Sequence, residues 1–127
     1  MYEFHGWAVI RETPEEIDAG NLAAIIKDIQ SFISSLSWSG GLLKIYPANG
    51  NYYLAVGGLL NHKTAAEAEE LMKVYQLIAQ KAAGSYGLLY ARDDEDMEGY
   101  DNKFRAFVLA HGELQIKEDV FLIDSHL

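Results

Sequence analysis

Asn49-Gly50 stands between two β-rich runs, LLKIYPA before it and NYYLAVGGLL after it. Asn-Gly in that setting is the strongest short-range signal of a β-hairpin, because both residues tolerate positive φ. A hairpin at this point commits the middle of the chain to antiparallel pairing. Any fold for the rest must be built around it.

On the N-terminal side, residues 2–11 predict a strand. Tyr2, Phe4, Ala8 and Ile10 line one side and Trp7 and Val9 the other, a pattern expected when both faces are largely covered. Thr13-Pro14-Glu15-Glu16 has the form of a capping box with proline at the first helical position. Leu22, Ile25, Ile26, Ile29, Phe32, Ile33 and Leu36 then recur at helical spacing. Gly20 weakens the first turns and moves the expected start of the regular helix towards Asp18. SWSGG ends it.

After the hairpin, Thr64-Ala65-Ala66-Glu67 is a second capping box. It opens a helix with Ala68, Leu71, Tyr75, Ile78 and Ala82 on one face and an expected end at Gly84. YGLLYAR predicts a fourth strand, KFRAFVLA a fifth and, beyond His111-Gly112, ELQIK a short sixth. The apolar tail DVFLIDSHL is expected to dock. Gly57-Gly58 within a strand predicts a bulge or a close approach to a large neighbour. The order β-α-β-β-α-β predicts an α+β fold with a ferredoxin-like core and one or two extra C-terminal antiparallel strands. Both helices then lie on one face of the sheet. Residues 1–127 read as a single domain, long enough for a core of its own.

Charge narrows the function. The net charge is −9, and residues 93–101 carry six of the nineteen acids and no base, leaving the rest of the chain at −3. Ten scattered Lys and Arg do not make a phosphate-binding surface, so a nucleic-acid partner is disfavoured. A partner selected by charge would be basic. With no cysteine there is no disulfide, thiolate metal site or cysteine nucleophile. The N-terminus does not read as a signal peptide, and no apolar window is long enough for a membrane span. A cytoplasmic protein without a membrane partner is expected.

The acidic stretch RDDEDMEGYD offers Asp94, Asp96, Glu98 and Gly99 at the first, third, fifth and sixth places of a calcium loop. The closing place holds Arg105, a cation where a bidentate carboxylate belongs, and the flanks read as strands. Adventitious calcium binding stays open, but no metal or other cofactor is expected. Nothing sets two acids across a cleft for glycoside chemistry. His5, His62, His111 and His126 lack ligand spacing, and the serines and glycines match no nucleophile elbow or phosphate loop. The remaining reading is an acidic loop, interrupted by Met97 and Tyr100, that meets a basic protein surface. Tyr46, Tyr52, Tyr53, Tyr86 and Tyr90 either fill the core or line an uncovered sheet face.

MYEFHGWAVIRET, YGLLYARDDED and NKFRAFVLAHGELQIKEDVFL, in that order, resemble the Imm7 family of immunity proteins from bacterial polymorphic toxin systems. Glu3-Phe4-His5-Gly6-Trp7 and the segment from Gly87 to Asp96 are the most specific parts. Asp119-Val120-Phe121-Leu122-Ile123-Asp124 departs from the proline-containing end usual in that family. The resemblance implies a non-enzymatic antitoxin that binds and neutralises a cognate toxin domain, often a basic nuclease. The expected contacts are Asp93, Asp94, Glu95, Asp96, Glu98, Tyr100 and Asp101, with His5 and Trp7 carried over from the resemblance. A homodimer is compatible with this reading. The alternative is a small-ligand-binding or enzymatic ferredoxin-like domain, since fold does not decide function.

Overall fold

The computed structural model describes residues 1–15 and 20–122. The order is β1 (Tyr2–Ile10), α1 (Leu22–Ser35), β2 (Leu42–Ala48), β3 (Asn51–Leu60), α2 (Ala65–Lys81), β4 (Tyr86–Asp93), β5 (Arg105–Ala110) and β6 (Glu113–Glu118). The strands form one sheet in the order β2-β3-β1-β4-β5-β6, and every neighbouring pair is antiparallel. The fold is therefore α+β, with two helices and a six-stranded antiparallel sheet. β1 lies at its centre between β3 and β4, so each helix links two strands that have another between them.

Local chemistry explains the turns. Asn49 and Gly50 have φ of 51° and 78°, and His111 and Gly112 have 52° and 73°, as two-residue hairpins of a right-twisted sheet require. Thr64 caps α2, its hydroxyl accepting from the Glu67 amide at 3.3 Å, with Glu67 in the first turn and Lys81 in the last. The helix stops at Lys81, three residues before Gly84.

The other capping box opens no helix in its described residues. Residues 12–15 form bends, and the Thr13 hydroxyl donates to the Glu15 carbonyl at 3.2 Å. Gly20 has φ of 92°, outside the helical region, and α1 begins only after Asn21. The start expected near Asp18 lies outside the described residues.

The core occupies one side of the sheet. Tyr2, Phe4, Ala8 and Ile10 of β1 join Leu54, Val56, Leu89 and Leu109, and both helices add to the same cluster through Ile26, Ile29, Leu71, Val74 and Ile78. Gly6 belongs to this face and gives way to Tyr75. A Cβ at Gly6 would stand 2.5 Å from the Tyr75 hydroxyl. That hydroxyl donates to the Leu88 carbonyl at 2.9 Å and lies 3.4 Å from the Trp7 carbonyl. Burial pushes the phenol far above its usual pKa, so it stays a neutral donor. The Tyr2 phenol is likewise pushed up to about 12 by burial, with Asp93 and Glu67 adding to the effect.

The glycine pair in β3 marks close approach and not a bulge, because its register against β1 is unbroken. A Cβ at Gly58 would meet the Phe4 ring at 2.5 Å. The tail also departs from expectation in its described part: Val120 and Phe121 are largely exposed.

Candidate functional site

Period-two alternation places Glu3, His5, Trp7 and Val9 on the face of β1 away from the core. Both faces were expected to be covered. Instead, Trp7 and Val9 are half-exposed and His5 is exposed, and among the described residues no helix packs on this side. The cross-strand partners of this row carry the face outward. Tyr53 and Tyr86 lie opposite Val9, Tyr90 lies opposite His5, and Tyr46 lies opposite Tyr53.

These rings form one platform. Trp7 stacks nearly parallel to Tyr53 with centroids 6.5 Å apart, and the Tyr86 ring meets Trp7 edge-on at 6.0 Å. Tyr46 extends the row at 5.4 Å from Tyr53. Rings that support one another are held before any partner arrives, so little side-chain freedom is left to lose on binding. Leu42 and Leu59 add exposed aliphatic surface to the same face.

At one end the platform runs into the acidic loop. Phe104, just before β5, stands 6.0 Å from His5 and 6.1 Å from Tyr90 between ring centroids. Phe104 also lines a shallow depression with Tyr100, Lys103, Glu118 and Asp119. Glu3 and Arg92 face each other here and pair at 3.1 Å, with side chains only 15% and 13% exposed. Arg92 also donates to the Asp101 carbonyl at 3.1 Å, fastening the end of the loop to the sheet.

The loop is not an open array of mutually repelling acids. The Asp94 carboxylate pairs with the Met1 amine, and Glu95 meets the His62 Nδ1. Asp96 accepts from the Glu98 and Tyr100 amides, both at 2.9 Å. Arg105 bonds Glu98 at 3.3 Å, approaches Asp96 at 3.7 Å and stacks over the Tyr100 ring at 4.2 Å. The Met1 amine holds Asp94 below the usual carboxylate pKa, and the two backbone amides do the same for Asp96.

Asp93, Asp94 and Glu95 bring one oxygen each within 4.8 Å of one another. Asp94 and Glu95 are already taken up by basic partners. Arg105, which breaks the calcium-loop pattern, supplies positive charge to Asp96 and Glu98.

The nine residues singled out from the sequence therefore fall into two groups. His5 and Trp7 belong to the platform. Asp93 sits at the end of β4 on the core side, opposite Tyr2. Asp94, Glu95, Asp96, Glu98 and Asp101 lie in the loop, and Tyr100 lies where the loop approaches Phe104.

Sequence reading missed Phe104, Leu42, Leu59 and the Glu3–Arg92 pair as parts of the face. The odd-numbered polar residues Glu3 and His5 in an otherwise apolar strand were the available signal. A hollow between α2 and β4–β5, lined by Tyr2, Met72, Asp93, Asp96, Arg105 and Phe107 among others, has a volume of about 110 Å³. Small-molecule sites usually start near ~300 Å³.

No curated protein and no solved structure matches the chain. A family model does, over residues 1–125, and the chain belongs to the family it describes, Imm7, Immunity protein 7.

Proposed function

We propose that the protein neutralises its cognate toxin by laying the open aromatic face of the sheet against it, with the acidic loop as a guiding rim. Family membership implies an immunity protein that acts against a toxin. The observation that carries the finer reading is the mutually supported row of half-exposed Trp7 and Tyr53 with exposed Tyr46 and Tyr86. Large rings in a fixed arrangement are the usual anchors of tight protein interfaces, and a polar rim around them excludes water.

The partner is a basic domain, such as a nuclease, acting within a polymorphic toxin system. Glu98 and Asp101 are exposed acids on the loop, and the chain carries −9. Like-charged competitors are repelled and a basic partner is steered in. Inhibition works by occlusion: a bound sheet face blocks its target without any chemistry of its own. The protein acts as one cytoplasmic domain whose β2-β3-β1-β4 portion reads as a ferredoxin-like core, with β5 and β6 added at the β4 side.

The test is calorimetric titration of the cognate toxin domain against Trp7→Ala and Tyr53→Ala. Each variant should weaken binding by at least about tenfold while the chain stays folded. Wild-type affinity in both variants overturns the assignment of the face.

A further inference from the structure

β6 is the outermost strand on its side of the sheet, and among the described residues nothing pairs with its free edge. The opposite edge strand, β2, carries Pro47, which has no N–H to offer, a common defence against edge pairing. β6 has no proline. It has no bulge either, since its pairing with β5 runs unbroken from Ala110–Glu113 to Arg105–Glu118. Ile116 on this strand is 67% exposed although its neighbour Leu114 packs on the core.

The hairpin geometry tells which backbone groups are free. A two-residue turn is closed by a hydrogen-bonded pair, here Ala110 and Glu113. Glu113, Gln115 and Lys117 therefore bond towards β5. The N–H and C=O groups of Leu114, Ile116 and Glu118 point outward.

Glu113-Leu114-Gln115-Ile116-Lys117 is its own complement when paired antiparallel about Gln115. Glu113 then faces Lys117 of the partner subunit and Lys117 faces the partner's Glu113. Leu114 meets the partner's Ile116 on the core-side face, and the two Gln115 side chains lie opposite each other. Leu114 and Ile116 exchange backbone bonds with the partner's Ile116 and Leu114, using the groups that point outward. A slip of one residue would set apolar against polar side chains. A slip of two would lose the opposite-charge pairs.

We propose that the protein self-associates through β6 in this register, joining two six-stranded sheets into one. The two-fold axis stands perpendicular to the sheet, so both aromatic faces look to the same side. Two copies of a bound partner would then be held next to each other, and linking the sites raises avidity without new contacts.

The experiment uses the full chain without toxin, so its outcome is separate from that of toxin binding. Sedimentation equilibrium at micromolar concentration should give twice the mass of one chain. The chain has no cysteine, so Gln115→Cys introduces a single thiol. Opposed residues in a non-hydrogen-bonded pair have Cβ atoms about 4.5–5.5 Å apart, close enough for a bridge after modest adjustment. Mild oxidation of this variant should give a covalent dimer, whereas Leu59→Cys on the open face should not. Lys117→Glu should weaken association at least tenfold, and adding Glu113→Lys to it should restore association. A monomeric mass for the wild type with no crosslink at Gln115→Cys overturns the proposal. A dimer indifferent to Lys117→Glu and lacking the Gln115→Cys crosslink overturns it equally, since it would be formed by another surface.

Discussion

Phe4 and Trp7 lie on the same strand, three residues apart, and face opposite sides of the sheet. Phe4 is fully buried in the core, touching the rings of Tyr2 at 5.5 Å and Trp38 at 5.6 Å between centroids. Trp7 is as large and as well surrounded by rings, yet it stays half-exposed. On the covered face, aromatic and aliphatic side chains interlock with two helices and with glycines that make room for rings. On the open face, aromatic residues support each other sideways and leave their outer surfaces free. One face is built for stability and the other is proposed to serve contact, and substitutions should separate the two roles.

The largest contrast should come from Phe4→Ala against Trp7→Ala. Emptying the Phe4 site should cost about 3–5 kcal/mol in urea unfolding. Trp7→Ala should cost less, about 2 kcal/mol, from two lost ring contacts and the half-buried area of the indole. If both lower stability equally, the open face is part of the core and the distinction fails.

Next in size is Tyr75→Phe. It removes the donor to the Leu88 carbonyl and should destabilise by about 1–2 kcal/mol. Near-UV circular dichroism of the variant should also change if the hydroxyl positions Trp7 from beneath.

Neutralising Asp93, Asp94, Glu95 and Asp96 together to their amides should leave the fold intact and slow association with the toxin severalfold at low salt. The difference should vanish at high salt, as stopped-flow mixing would show. Unchanged rates at every salt concentration would remove the loop from the encounter surface.

The smallest effect concerns acid. The pKa of Asp96 is lowered in the folded chain, so its contribution is fully present above its unfolded value of 3.8 and fades as pH falls towards the folded value. Asp96→Asn should lower the urea midpoint slightly at pH 7, where the ionised carboxylate contributes, and flatten its fall below pH 4, where the two chains converge. An identical acid limb in the variant would show that Asp96 is not linked to folding.

Much of the architecture was legible because it is written locally. Asn49-Gly50, His111-Gly112 and the Thr64 cap each depend on residues a few positions apart, and each occurs where the pattern places it. The Thr13 box misled for a related reason. A cap pattern does not show whether a helical turn can follow it, and the left-handed backbone at Gly20 comes between that box and α1.

The two faces of β1 could not be told apart in the same way. Trp7 and Val9 are apolar whether or not another layer covers them, and that layer is a matter of tertiary structure. The acidic loop posed the same difficulty. Its six carboxylates look unbalanced in sequence, yet four of them, Asp94, Glu95, Asp96 and Glu98, find partners in Met1, His62 and Arg105, brought in by the sheet and by the β3–α2 connection. The His5 and Trp7 positions were reached through family resemblance and alternation, while Phe104 became visible only when β4 and β5 were paired.

Tyr75 has a further consequence. Its hydroxyl fills the space left by Gly6 and holds the strands directly behind Trp7, so the aromatic row has a stiff backing rather than a pliable one. A stiff surface cannot remodel itself to follow a toxin whose contour has drifted. If the toxin seats on this face as proposed, adaptation to a new toxin variant would fall to the loop and the rim, where side chains can change without disturbing the backing, while the row behind them would serve as a fixed template.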